Sequence, residues 1–456
     1  MKKFELDMTK GSILKNIILF AIPLMLTSLL QLLYNAADLI VVSRFAGSDA
    51  MASVGATSSL TNLLINMSIG FSVGGSVVVA RYFGKKNENG LHRAVHTTIL
   101  VGIIFGLITG VAGFLLSRPL LTLMDTPHEK VLDGATLYMK IIFIGVPASV
   151  LYNFGSAILR AIGDTRRPLY ILAVSGLVNV VLNLILVIGF HMGVAGVAIA
   201  TSVSNYISMA AIIIILMRTN EAYKLEIKKI KFYKNELKTI FKIGLPSGIQ
   251  GSLFGLSNTV IQSSINTFGT SVIVGNSASV NIEGFMYVSM NAFYQAVLTS
   301  VGQNYGAAKK KRINKSIYTT IACVVVVGIT LGAIVLPFSK QLLGIYIADS
   351  PRALDFGVQR MVIICSTYFL CGIMEVLTGA LRGLGASNAA MINSLFGACG
   401  FRLFWVLVLV PMYRNIQFLY LVLPISWVVV IIMHLAVLAV VKPRAIKKLT
   451  SSEEYK

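Results

Sequence analysis

Apolar residues in this chain do not alternate with polar ones. They continue in runs of roughly 20, the length a helix needs to cross a hydrocarbon core about 30 Å thick. Twelve such runs can be marked, at 15–42, 53–80, 94–116, 136–158, 168–190 and 194–217, then at 239–265, 272–300, 314–337, 358–381, 389–411 and 416–441. A membrane barrel would show short segments with a two-residue period instead. The pattern predicts an all-α integral membrane protein of twelve transmembrane helices. Glycines recur every four residues within the runs, as at Gly70 and Gly74 and at Gly102, Gly106 and Gly110. Such strips let helices approach closely in lipid, so they are expected to be packing faces. The longest polar interruption is 218–238, "RTNEAYKLEIKKIKFYKNELK". It is expected to be a basic cytoplasmic linker anchored at the membrane surface, between an N-terminal lobe (1–217) and a C-terminal lobe (239–456).

The two lobes echo each other. "LRAIGDT" at Leu159–Thr165 returns as "LRGLGAS" at Leu381–Ser387, a little under half the chain further on. The same offset carries Gly84 of "ARYFG" onto Gly306 of "GQNYG", and one position more carries Pro23 of "FAIP" onto Pro246 of "IGLP". A duplicated unit of six spans is predicted. Six is even, so both copies enter the membrane in the same sense, as a parallel repeat about an axis along the membrane normal. Such a duplication in so apolar a chain points to a transporter with its pathway between two lobes. A channel would not need it.

Composition agrees with the pattern. Hydrophobic residues are 56%, charged residues 12% and mean hydropathy +0.79, whereas a soluble domain carries about 25% charged residues. The net charge of +21 suggests nucleic acid until its distribution is read. With the N-terminus placed inside, 30 of the 39 Lys and Arg fall in cytoplasmic segments, including 218–242 and 309–315. Only Arg44, Arg118, Lys130, Lys340, Arg352, Arg360 and Arg414 are assigned outside, and Lys140 and Arg402 lie within apolar runs. This is the positive-inside pattern; it predicts both termini in the cytoplasm and no nucleic-acid partner. The apolar stretch that follows the charged "MKKFELDMTKGSILKN" is too long for a signal h-region and has no small-residue cleavage site, so a removable signal is not expected. Cys323, Cys365, Cys371 and Cys399 all lie in apolar runs, without disulfide or zinc spacing.

Ionisable groups inside the membrane cost about 2.5–3.5 kcal/mol each on insertion scales, so their positions matter most. Four stand out: Asp38, Glu283, Glu375 and Arg402. Asp38 lies about four residues from the outer end of the first span, roughly 6 Å deep. Asn183 and, one turn deeper, Asn179 stand on one face of the fifth span, and Thr201 lies about 12 Å below the outer end of the sixth. The four offer a carboxylate, two amides and a hydroxyl at overlapping depth. Hydrogen-bonded packing accounts for such a patch, but an Asn at 38 would pack at lower cost than an Asp. The set is therefore read as a site for a hard cation or a proton. No catalytic or metal-centre residues are assigned. "HEKVL" at His128 lacks the second His of a zinc-protease helix, no nucleophile elbow appears, and the His92/His96 pair has no acid nearby in sequence.

Several stretches together are similar to the multidrug and toxic compound extrusion (MATE) transporters: "YNAADLIVVSRFAG" (34–47), "RAIGDTRRP" (160–168), "GVAGVAIATSVS" (193–204), "GQNYGAAKKKR" (302–312) and "ALRGLG" (380–385). The resemblance covers nearly the whole chain. It implies a monomeric six-plus-six helix bundle in a bacterial plasma membrane. It also implies expulsion of small organic cations in exchange for Na⁺ or H⁺, with no cofactor beyond that coupling ion and lipid as surroundings. Asp38, Asn179 and Thr201 match the family's N-lobe site, while its second Asp is Asn183 here. Family members that couple through the C-lobe place a carboxylate in helix 7 or 10, which favours Glu375 as a substrate or proton group over Glu283. Two readings stand side by side for the C-lobe charges: Arg402 pairs with Glu283 or Glu375 as scaffold, or Glu375, Glu283 and Arg402 form a substrate-binding or proton-relay group. Tyr34, Met286, Tyr287, Met290, Phe293 and Tyr294 are candidates to line a cavity for amphipathic cations, and plain helix packing explains them as well. The competing expectation is a flippase for a lipid-linked sugar; against it stands an intramembrane charge set of three acids and one Arg. An intramembrane enzyme is the remote third.

Overall fold

The computed structural model describes residues 4–124, 129–347 and 350–451; His128, Lys2, Lys3 and Lys456 lie outside them. The first six long helices are α1 (Ile13–Val41), α2 (Ser48–Lys85), α3 (Glu88–Leu123), α4 (Glu129–Ala161), α5 (Arg166–Asn183) and α6 (Gly193–Arg218). The second six are α7 (Lys234–Asn266), α8 (Thr270–Gly306), α9 (Lys310–Val335), α10 (Pro351–Gly383), α11 (Ser387–Met412) and α12 (Ile416–Lys447). Wider π-type turns continue α1 to Ala46 and α5 to Gly189, and interrupt α11 at Leu395–Gly400 and Trp405–Leu409. Ten of these helices are long and apolar enough to span a membrane by length and composition alone. The remaining two are α7 and α8, whose Ser, Asn, Gln and Glu residues lower their hydropathy.

Most helices outrun the apolar stretches that predict them. Hydropathy marks only the hydrocarbon crossing, and a helix can continue into the wetter headgroup layer until a cap ends it. At the start of α3 the Asn87 side chain accepts from the Gly90 amide at 2.8 Å, and at α10 the Ser350 hydroxyl accepts from the Ala353 amide at 3.3 Å. The extension of α10 corrects one assignment. Arg360 is nine residues inside the helix, roughly 14 Å from its start at 1.5 Å per residue, and only 5% exposed. It is an interior residue, not an outer-loop cation.

The duplication is visible in the backbone. Gly47 and Gly269 both have positive φ, at 88° and 100°; so do Gly163 and Gly385, at 90° and 85°; so do Lys86 and Ala308, at 56° and 54°. Each pair repeats the offset that carries Leu159 onto Leu381. At the ends of α4 and α10 the hydrogen bonds also repeat: the Asp164 amide donates to Leu159 and the Gly163 amide to Arg160, both at 2.9 Å, while Ala386 donates to Leu381 and Gly385 to Arg382, both at 2.8 Å. This helix end needs a left-handed residue, which explains the glycine in "LRAIGDT" and "LRGLGAS". Asp164 is not duplicated, its counterpart being Ala386. Its carboxylate accepts from the Arg166 and Arg167 amides at 3.2 and 3.1 Å. Burial raises its pKa above the usual carboxylate value, and the bonds from Arg167 oppose that rise.

The lobes 1–217 and 239–456 are the division expected from the sequence repeat. As packing units the structure divides the chain within α1 and α7: one unit is Met1–Leu6 with Leu26–Gly248, the other Asp7–Met25 with Ile249–Lys456. In the first unit α4 is the hub, packed on α2, α3 and α6; in the second α10 takes that place, packed on α8, α9 and α12.

The glycine strips are packing faces, as their spacing predicts. A Cβ at Gly102 would meet the Phe154 ring of α4, and one at Gly106 the Pro147 backbone at 3.0 Å. On α2, a Cβ at Gly70 would stand 2.7 Å from Gly248 Cα, and one at Gly74 2.9 Å from Gly244 Cα, so α2 and the opening of α7 meet backbone to backbone. Gly74→Leu is expected to destabilise by about 2–3 kcal/mol through overpacking. Thermal unfolding in detergent reads this against Gly55→Ala on the same helix, where nothing lies within 4 Å. Equal melting temperatures for the two variants would overturn it.

Candidate functional site

Asp38, Asn179, Asn183 and Thr201 come together inside the first unit. Asn183 Nδ2 donates to Asp38 Oδ1 at 2.5 Å and also faces Asn179 Oδ1 at 3.4 Å, while Asn179 Nδ2 donates to Thr201 Oγ1 at 3.4 Å. Asn179 and Asn183 sit four residues apart on α5, so one helical face presents both. Both are buried, at 5% and 1% exposed. The π-type continuation of α1 places Asp38 eight residues from the helix end, roughly 12 Å, deeper than its sequence position predicts and level with Thr201. Tyr34, one turn earlier on α1, donates to the Ala173 carbonyl at 3.1 Å. Its ring fills the space over Gly176, where any side chain would collide with it. Tyr34 therefore fixes α1 against α5 beside Asp38. Val41 and Val42, Val187 and Val197 from the same three helices and their continuations pack with Ala50 in an apolar cluster.

One atom of the cluster is unsatisfied. Asn183 Oδ1 is buried with no hydrogen-bond partner among the described residues. Rotating the amide would only exchange this deficit for an oxygen facing the Asp38 carboxylate. A buried acceptor without a donor costs about 1–3 kcal/mol, and a cation is a partner that removes the cost. The donor set is hard oxygen: one carboxylate, two amides and a hydroxyl, which suits an alkali cation. Among the described residues no three His, Cys, Asp or Glu side chains group as a transition-metal site would require.

In the second unit the charges arrange differently from the sequence expectation. Arg402 pairs with neither Glu. Its Nε donates to Ser426 Oγ at 2.9 Å and its Nη1 to Asn258 Oδ1 at 3.3 Å, with the guanidinium 5.8 Å from the Phe254 ring. Glu283 is held by Arg360 through two parallel bonds of 2.8 Å, Nε to Oε1 and Nη2 to Oε2. Sequence reading misses this pair because Arg360 stands at the very start of the apolar run 358–381, where a cation is expected to reach outward. Arg382, counted as cytoplasmic, is 7% exposed; it donates to the Tyr294 hydroxyl, and to Gln250 Oε1 at 2.8 Å. Arg360 and Arg382 therefore join Arg402 as buried cations among the described residues, and a balance of three acids to one Arg no longer argues against a flippase. Among the described residues Glu375 makes no hydrogen bond or ion pair; it stands two turns before Arg382 on α10. Met286, Met290, Phe293 and Tyr294 are buried within the second unit, at 4% exposed or less, while Tyr287 is 42% exposed.

A family model described as MatE matches the chain twice, over residues 23–185 and 246–407. The chain belongs to the MatE family. The two matched stretches reproduce the offset of the internal echo. Among its relatives, the probable multidrug resistance protein YpnP of Bacillus subtilis (strain 168) is 28% identical over 403 residues, 88% of each chain. The multidrug export protein MepA of Staphylococcus haemolyticus (strain JCSC1435) is 24% identical, over 86% of this chain and 89% of MepA. A solved MATE structure in complex with MaL6 superposes with a TM-score of 0.88 at 21% identity, covering 99% of this chain and 100% of that one. This MatE protein is a membrane transporter and not an enzyme.

Proposed function

We propose that this MatE transporter expels small organic cations from the bacterial cytoplasm across the plasma membrane, in exchange for Na⁺ or H⁺, with both termini cytoplasmic. The reading of export rests on the relatives named for multidrug resistance and export. The coupling reading rests on one observation: the Asp38 carboxylate bonded to Asn183, whose own oxygen has no donor among the described residues. An entering Na⁺ would take Asp38, Asn183 and the hydroxyl of Thr201 as ligands; an entering proton would sit on Asp38. Either changes the hydrogen bonds that join α1, α5 and α6, and alternating access follows from that repacking. Glu375, the interior carboxylate with no bonded partner among the described residues, is assigned to the cationic substrate or a relayed proton. Glu283 is assigned to the scaffold.

Reconstitution in proteoliposomes with an ethidium-like dye tests coupling directly. A Na⁺ gradient and a pH gradient are imposed separately, and one of the two is expected to drive efflux. Dye movement unaffected by either would end the antiport reading. Movement of a fluorescent lipid-linked sugar between leaflets, without dye transport, would establish the flippase instead.

A further inference from the structure

The motif 302–312, "GQNYGAAKKKR", is absorbed by neither site, yet its side chains converge on the segment that leads into α1. The Met8 amide donates to Gln303 Oε1 at 2.8 Å, and Asn304 Nδ2 donates to the Met8 carbonyl at 3.2 Å. Lys309 Nζ donates to the Thr9 carbonyl at 2.7 Å. Arg312 reaches three carbonyls of the same segment: Nη2 donates to those of Met8 and Lys10 at 3.0 and 3.1 Å, and Nη1 to that of Gly11 at 3.0 Å. Met8 and Thr9 are 1% and 5% exposed. Asn16, in the first turn of α1, donates to the Lys10 carbonyl at 2.8 Å and completes the attachment. All of these residues belong to the second unit.

The first unit carries the related arrangement. There the α2–α3 turn, the earlier copy of the α8–α9 turn, holds the segment that leads into α7. Arg93 Nε donates to Glu236 Oε1 at 2.9 Å, and the Tyr82 hydroxyl to the same oxygen at 3.3 Å. The Tyr233 amide donates to Thr97 Oγ1 at 3.3 Å, and the Glu226 amide to His96 Nε2 at 3.0 Å. The residues differ between the copies, and in the first unit two of the bonds go to the Glu236 side chain in the first turn of α7, but in both units residues of the helices flanking the even–odd turn also bind backbone that precedes the other repeat's opening helix. Charge alone does not explain this. Surface Lys and Arg kept inside only by the positive-inside rule need not aim at particular carbonyls.

We propose that Gln303, Asn304, Lys309 and Arg312 are positioning residues for transport, a socket that fixes the entry of α1 so that binding at Asp38 is converted into movement of that helix. This rests on Asp38 being the coupling group. A helix free at its cytoplasmic end would absorb the change at Asp38 as local fraying, and gradient and substrate would uncouple.

The test uses full-length Arg312→Gln in proteoliposomes with three readings: gradient-driven dye efflux, dye exchange at equal concentrations without a gradient, and hydrogen exchange of amides 8–17. Those amides are expected to exchange about tenfold faster once the carbonyls lose their partners. Driven efflux is expected to fall about tenfold, within the usual range of coupling energies, while gradient-free exchange stays within about twofold of wild type. If amides 8–17 stay protected, Asn304→Ala/Lys309→Gln/Arg312→Gln removes every bond that the motif's Asn304, Lys309 and Arg312 side chains make to these carbonyls, leaving only Asn16's own bond to Lys10, and the same readings apply. Faster amide exchange with undiminished driven efflux would overturn the proposal. So would parallel loss of both transport modes with melting temperature, which would make the socket scaffold alone. A wild type that neither gradient drives would instead sink the coupling reading, and the amide-exchange result would still stand for the socket.

Discussion

Asp38→Asn in proteoliposomes is expected to reduce gradient-driven dye efflux by about a hundredfold, towards the upper end of known coupling energies, without loss of the folded protein. The substitution keeps an oxygen where Asn183 donates and removes only the negative charge. An amide takes up no proton and cannot neutralise a cation in the bilayer interior. Folding should be slightly favoured, because an intramembrane carboxylate costs about 2.5–3.5 kcal/mol on insertion scales. A stable variant with lost drive and retained gradient-free exchange is thus the expected combination. Intact driven efflux would remove Asp38 from the mechanism.

Breaking the Glu283–Arg360 pair is expected to cost far more stability than any change at the Asp38 cluster. Both residues are buried and share two charge-assisted bonds. Glu283→Gln leaves the Arg360 guanidinium buried beside a neutral amide, at a cost of about 3–5 kcal/mol. Glu283→Leu/Arg360→Leu removes both charges and is expected to recover most of that loss, because a buried pair contributes little beyond what apolar packing supplies. Thermal unfolding of the two variants in detergent decides it. A Glu283→Gln protein as stable as wild type would show that the pair is not scaffold, and would return Glu283 to the transport candidates.

The sequence carried the fold well because lipid writes helices as apolar length and a duplication writes itself as an offset. The left-handed positions at 47/269, 86/308 and 163/385 are consequences of the offset first seen in "LRAIGDT" and "LRGLGAS". The meeting of Asp38 with Asn179, Asn183 and Thr201 was also legible, since helix rise alone converts position into depth. Pairings in the second unit were not. Arg360 and Arg382 both lie at the margins of apolar runs, where hydropathy cannot distinguish a surface cation from one drawn inward by Glu283 or by Gln250 and Tyr294. Nor does periodicity reveal that a backbone segment such as 8–11 is the target of a charged motif at 302–312, far along the chain.

The division of the chain inside α1 has a consequence for how the protein is made. Residues 7–25 emerge more than 200 residues before the stretch they are grouped with, Ile249–Lys456. At roughly 5–20 residues per second of synthesis, the opening of α1 waits on the order of ten seconds or longer before those partners exist. During that interval its carbonyls at Met8, Lys10 and Gly11 have no Arg312 to bind, and that of Thr9 no Lys309. The second unit therefore cannot finish folding from its own half of the message, and a chain arrested at the linker would leave the first helix half engaged, a state that quality-control proteases are equipped to recognise.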